Sequence, residues 1–206
     1  MTTARAGWRR AACLAALLPA ALAQASERWD FTVTLDGRPV GTHRFTVSGD
    51  AAERRLQSRA RFDVRWLGLL VYRYRHEADE RWQGECLREL RAETDSDGER
   101  ETVSQRYGGD CLMGFAYWNP RVVEQQQLID PQTGRTVAAR FERLADARIE
   151  RLGQSVPARG WQLRADGQRI DIWYAADTGR WIGLDAEVRG GRRLSYRLTS
   201  TLPTPQ

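Results

Sequence analysis

Lysine is absent from this chain of 206 residues, so every basic side chain other than two histidines is arginine. That absence excludes a Schiff-base lysine, a phosphate-loop lysine and a Ser–Lys dyad. His43 and His76 are the two histidines, too few for a three-histidine metal site. Cysteine is scarce as well: Cys13, Cys86 and Cys111. No zinc ribbon and no His-Glu-x-x-His helix can be written from these residues. The run Gly153-Gln154-Ser155-Val156-Pro157 lacks the last glycine of a nucleophile elbow. Long apolar stretches are missing apart from Ala11 to Ala23, which is shorter than the roughly 20 residues a bilayer requires.

That run belongs to a leader. Arg5, Arg9 and Arg10 precede it, and Ala21-Leu22-Ala23 and Ala23-Gln24-Ala25 offer small-x-small cleavage patterns. Residues 1–25 are therefore expected to be a signal peptide, with a retained N-terminal anchor as the alternative. Arg9-Arg10 sits in poor surroundings for twin-arginine export, and Cys13 is badly placed for lipidation. The leader carries three arginines and no acid, so 29 basic and 27 acidic residues remain and the formal charge falls from +5 to +2. The expected location is periplasmic or secreted. Cys86 and Cys111 then form an even pair in an oxidising compartment, where a disulfide is expected. It would close a loop of 26 residues, ends included, and contribute about 3–4 kcal/mol on the chain-entropy argument.

From residue 26 to 202 the pattern is alternation with period two, with 41% hydrophobic and 29% charged residues over the whole chain. Trp29, Phe31, Val33 and Leu35 share one face. Asp36-Gly37 turns the chain, which returns through His43, Phe45 and Val47. Leu56, Ser58, Ala60, Phe62, Val64 and Trp66 alternate with arginines and polar residues. Leu70, Tyr72, Tyr74, His76, Ala78, Glu80 and Trp82 do the same. Turn signals recur at short intervals without a βαβ rhythm. The expected fold is all-β: a single antiparallel, strongly curved sheet or barrel-like meander that hides its edges. One short helix is expected near 120–128, opened by Asn119-Pro120 as cap and first helical residue. A signal-peptide helix precedes the domain.

The candidate chemistry lies on the strand faces. His76 and Glu80 are four apart in a strand and project to the same side, together with Tyr72, Tyr74 and Trp82. His43 shares a face with Phe45 and Val47. Sheet curvature that joined the two strands would bring His43, His76 and Glu80 together as an acid/base set or as metal ligands. The plainer reading makes each histidine a hydrogen-bonded interior residue and pairs Glu80 with an arginine. The run Phe115-Ala116-Tyr117-Trp118-Asn119-Pro120 either lines an apolar cavity, with Asn119 as a polar handle, or plugs one end of a barrel. The arginine-rich faces of 55–65 and 73–81 carry interleaved acids. With so small a charge on the processed chain, no nucleic-acid partner is expected. Contact with anionic lipid headgroups at a membrane surface remains an option.

Several of these residues form a wider pattern: Asp36-Gly37 with Gly41-x-His43-x-Phe45, then Tyr72-x-Tyr74-x-His76-x-x-x-Glu80-x-Trp82, Cys86-Leu87, Phe115 to Pro120, Pro131-Gln132-Thr133-Gly134 and Trp173-Tyr174. In this the chain resembles a bacterial exported family of unknown function, marked most specifically by the Phe-Ala-Tyr-Trp-Asn-Pro segment. The resemblance implies one exported domain and no particular activity. The hairpin-rich pattern is also similar to periplasmic curved-sheet domains such as lipoprotein carriers.

The leading functional expectation is an exported β-domain that binds an apolar or amphipathic ligand, including a lipid. His43, Tyr72, Tyr74, His76, Glu80, Trp82, Tyr117, Trp118 and Asn119 would line its site, with no cofactor and no metal. The alternatives are an enzyme using His76 and Glu80 with His43, and a cell-envelope assembly factor with a protein partner.

Overall fold

The computed structural model describes residues 26–200. The expected signal peptide over 1–25 and the last residues of the expected domain lie outside them. Fourteen strands follow in order. The first six are β1 (Ser26–Leu35), β2 (Arg38–Gly49), β3 (Glu53–Trp66), β4 (Leu69–Gln83), β5 (Cys86–Ser96) and β6 (Glu99–Arg106). Short β7 (Met113–Gly114) and β8 (Gln127–Ile129) come next, then β9 (Thr136–Arg143) and β10 (Ala147–Arg151). The last four are β11 (Gln154–Ala165), β12 (Gln168–Ala175), β13 (Trp181–Val188) and β14 (Arg192–Ser200).

The sheet runs β6-β5-β4-β3-β2-β1-β14-β13-β12-β11-β9-β8-β7, so the first and last long strands are neighbours at its centre. All these pairs are antiparallel except β7 with β8. Two-residue turns make the long hairpins. Asp36-Gly37, Asp97-Gly98 and Asp166-Gly167 all hold positive φ at both positions, the geometry that matches strand twist.

The sheet curls into a barrel, which removes its open edges. Leu87 N–H of β5 donates to Leu112 C=O just before β7 at 2.8 Å. The Cys86–Cys111 disulfide ties the same place, with Cα atoms 4.7 Å apart. Tyr107 past β6 donates its hydroxyl to Gly134 C=O at 3.0 Å. On the other side β10 pairs with β11 and bridges β14 at Arg151 and Leu198.

One expected element differs. The helix near 120–128 is a 3-10 turn, Pro120–Glu124, capped by Asn119 as expected. The chain then becomes strand at Gln127, because Leu128 is fully buried between β7 and β9. Val122 and Val123 also favour neither rotamer freedom nor a long helix here.

Inward-facing residues of every long strand form one core, with Phe31, Val33, Leu90, Ile172 and Ile182 fully buried. Residues 113–129 cross one end of the barrel and bury Met113, Ala116, Tyr117, Val122 and Leu128 against it. At the other end Val40, His43, Tyr74 and Leu194 remain only partly buried.

Candidate functional site

Cross-strand register places the two histidines on one row. Phe31 pairs with His43, His43 with Ala60, Ala60 with His76, and His76 with Thr94. Adjacent strands lie about 4.8 Å apart, so the two histidine backbones are separated by about 10 Å with one alanine between them. The next row toward the plugged end is also small: Ser58, Ala78 and Ala92 are buried and pair in sequence across β3, β4 and β5.

Both histidines are held by hydroxyls. His43 Nε2 lies 2.7 Å from Ser58 Oγ, and its Nδ1 lies 3.3 Å from Tyr196 OH. A neutral imidazole donates from one nitrogen and accepts at the other, and hydroxyls suit either role. The His43 ring stacks on Phe45 at 4.0 Å. His76 Nδ1 lies 2.9 Å from Thr94 Oγ1. Burial holds His43 well below the ordinary imidazole value, and the nearby His76 pushes the same way. Burial also lowers His76, opposed by the charges of Asp130 and Glu77. Both rings are thus neutral at pH 7.

Aromatic rings run from the plug to this row and on toward the opposite end. Tyr117 lies 5.5 Å from Trp181, and Trp181 lies 4.3 Å from Phe31 and 5.0 Å from Phe45. Tyr196 stands 5.6 Å from His43 and 6.2 Å from Phe62, which stacks on Tyr74 at 5.3 Å. Burial raises the Tyr74 and Tyr196 hydroxyls far above their usual range, so both stay protonated.

Glu80 does not join the histidines. Four residues along a strand span about 13 Å, which takes Glu80 to the plugged end. There its Oε2 accepts from Trp82 Nε1 at 2.8 Å. Burial pushes its carboxyl up to about 7 against that hydrogen bond. Trp82 meets Trp118 edge to face at 5.5 Å, and the Arg54 guanidinium covers Trp118. Asn119 is fully engaged: Oδ1 accepts from Arg121 N–H while Nδ2 donates to Glu85. The segment Phe115 to Pro120 is therefore a plug. Trp82, Trp118 and Asn119 support it and do not line the histidine row. Tyr72 is also displaced from the expected wall. It is exposed, beyond the end of β5, with its hydroxyl 3.0 Å from Ser96 Oγ.

Of the expected site residues, the structure brings together His43, Tyr74 and His76, with Tyr117 behind them. It adds Ser58, Ala60, Thr94 and Tyr196. These four sit on inward-facing strand positions, but register with the histidines requires knowing which strands are neighbours. Among the described residues no group of three His, Cys, Asp or Glu side chains stands ready for a metal. Two shallow surface depressions are present: one around residues 164–169, away from the row, and one at Glu101, Thr102, Gln132 and Arg135, where Glu101 pairs with Thr94 at the β6 end of the row.

Ser58 and His43 have the separation of a nucleophile–base pair. The third group is a tyrosine rather than a carboxylate. Ser58 also lies mid-strand between paired neighbours, where backbone N–H groups serve the sheet rather than an oxyanion.

A family described as a domain of unknown function (DUF6134) matches residues 31–199. Among solved structures the chain is similar to a β-barrel-like protein of another domain of unknown function, DUF1849, from Brucella abortus. That match has 12% identity and a TM-score of 0.63, and covers 90% of this chain and all of the other. A weaker likeness is to MucB, with 13% identity and a TM-score of 0.31 over 88% of this chain and 54% of that one. No curated protein sequence matches significantly. At 12% identity the likeness to the Brucella protein establishes a shared β-barrel-like fold and nothing more.

Proposed function

The chain belongs to the DUF6134 family, and on that premise we propose that it is an exported barrel that binds an amphipathic ligand at its open end. The apolar part of the ligand packs on Tyr74, Phe62 and Val40. Its uncharged polar head hydrogen-bonds at the row of His43, Ser58, Tyr196 and His76. The observation that carries this reading is His43. It is a neutral imidazole, paired to two hydroxyls and only partly buried, in a lining otherwise aromatic and small. Concave apolar surface with a few convergent polar groups is the usual form of a small-molecule site. Tyr74 and His43 are the walls such a molecule meets first, and Ser58, Ala60 and Ala78 are the small floor beyond them.

The experiment is displacement of the fluorescent apolar probe N-phenylnaphthylamine by long-chain alcohols and monoacylglycerols, in wild type and in Tyr74→Ala and His43→Leu. The expected result is saturable displacement by wild type and at least tenfold weaker displacement by both variants, with unchanged circular dichroism. Displacement that is equal in all three proteins would exclude the open end as the site.

A second reading, acyl transfer at Ser58, is favoured by the 2.7 Å Ser58–His43 contact alone. A fluorophosphonate adduct on Ser58 would support it. Intact Ser58 after prolonged exposure would remove it.

A further inference from the structure

The long β3–β4 hairpin outruns its neighbours. The last β2 partner of β3 is at Phe62, and the last β5 partner of β4 is at Tyr74. Beyond them the strand ladder joins only β3 to β4, through Trp66 and Leu69, while Arg73 C=O still accepts from Asp97 N–H and β2 itself continues to Arg38. Four residues of extended chain reach about 13 Å past these last ladder partners. An isolated two-stranded ribbon of this length is marginal in water.

Its composition is the reverse of a solvated tip. Leu67 is 88% exposed, Leu69 72%, Val71 53%, Leu70 46% and Tyr72 37%. Side chains alternate along a strand, so the unbroken run Leu69-Leu70-Val71 presents apolar groups on both faces. A protein groove would cover one face; a medium that is apolar all round covers both. Leu67 also occupies a turn position with φ of 49°, where the hairpins at Asp36, Asp97 and Asp166 carry aspartate and the β10–β11 hairpin carries a second leucine, Leu152. A bulky residue is disfavoured in that backbone region, yet an apolar side chain stands at the tip.

The charges below the tip complete the pattern. Residues 64–74 contain Arg65 and Arg73 and no acid. The nearest acid on the ribbon, Asp63, is held by Arg75 at 2.7 Å. The acids of the β5–β6 turn sit no higher than Arg73, whose carbonyl accepts from Asp97 N–H. They are set back from the tip by about a Debye length at physiological salt. Asp95 is engaged with Gly98 N–H and Arg100, and its charge also reaches Arg73.

We infer that the β3–β4 tip is a membrane-docking wedge. Leu67, Leu69, Leu70 and Val71 enter the interfacial layer of a lipid bilayer, and Arg65 and Arg73 meet anionic headgroups. Interfacial insertion of 5–10 Å matches the reach of the ribbon, arginine stems extend along apolar surface to place their charge in the headgroup layer, and tyrosine, as at Tyr72, suits that depth. The wedge stands at the open end, on the strands that carry Phe62 and Tyr74. It is separate from the ligand proposal, and either can fail alone.

The test is cosedimentation with sucrose-loaded vesicles of phosphatidylglycerol and phosphatidylethanolamine, beside vesicles of phosphatidylcholine. Wild type is compared with Leu67→Asn/Leu69→Ser and with Arg65→Gln/Arg73→Gln. Asparagine tolerates positive φ better than leucine, so the first variant is expected to fold at least as well. Wild type should bind the anionic vesicles. The leucine variant should lose at least tenfold in partitioning, while probe displacement at the open end stays unchanged. The arginine variant should lose the preference for anionic lipid. Wild type that sediments with neither vesicle, or a leucine variant that binds as well as wild type, would overturn the wedge. So would a wild-type dimer that the leucine variant dissociates, which would make the tip a contact between copies.

Discussion

His43 Nε2 stands 2.7 Å from Ser58 Oγ across the β2–β3 pair, and no carboxylate completes the group. Hydroxyl partners keep an imidazole neutral where a carboxylate would favour its proton. With burial as the larger cause, His43 and His76 bind protons less readily in the folded chain than in the unfolded one. Their folded values are depressed, so their contribution is present above the unfolded value near 6.5 and is lost as pH falls below it. Glu80 changes stability in the opposite direction over the same range, so the histidines are read in a Glu80→Gln background. There thermal melts from pH 7.5 to 5 should show decreasing stability, and the decrease should shrink when His43→Gln/His76→Gln is added. A flat profile in the Glu80→Gln protein would contradict buried neutral rings.

Glu80 has the opposite sign. Its carboxyl is raised from 4.5 to about 7, so the fold favours the protonated form. That contribution is present below 4.5 and is lost as pH rises through 7. Glu80→Gln keeps an acceptor for Trp82 N–H and removes the ionisation. The variant should match wild type at pH 4 and exceed it by about 3 kcal/mol at pH 8. Tyr107, raised to about 12 by burial and then by the Glu80 charge, should titrate at lower pH in the variant. Equal stability of the two proteins at pH 8 would mean that Glu80 is solvated.

The Cys86–Cys111 bridge closes the barrel where β5 meets the segment before β7. Replacing both cysteines by serine should cost about 3–4 kcal/mol in urea unfolding. Reductant should lower wild type to the same midpoint and leave the variant unaffected.

Gly41 lies where β2 crosses β3, and a β-carbon there would sit 1.9 Å from Arg61 O. Backbone cannot yield as a side-chain tip can, so Gly41→Ala should destabilise by about 2 kcal/mol or more. It should also weaken ligand binding, because Gly41 neighbours His43. A variant with wild-type stability would show that β2 can shift outward.

Much of the fold was readable because strand period and turn chemistry are local. Asp36-Gly37, Asp97-Gly98 and Asp166-Gly167 mark hairpins by residue type alone, and the two cysteines of the domain pair as expected. The site was readable only in part because it depends on register. On a helix, residues four apart meet; on a strand they are two pleats apart, and Glu80 therefore parted from His76. Ala60 is unremarkable in sequence, yet it is the residue that sets the two imidazoles side by side. Tyr72 shares a strand face with Tyr74, but β5 ends at Ser96, which meets only its hydroxyl and leaves the ring partly in solvent. The plug shortened to a 3-10 turn because Leu128 is needed in a strand.

The most direct measurement is native mass spectrometry of the protein recovered from the periplasm of an expressing bacterium, before and after organic extraction. The expected spectrum shows the processed chain, two hydrogens lighter for the disulfide, carrying an added mass that extraction removes. Tyr74→Ala should carry less of it. A spectrum of the bare chain from wild type, with no probe displacement at the open end, would contradict ligand binding as the function of the barrel.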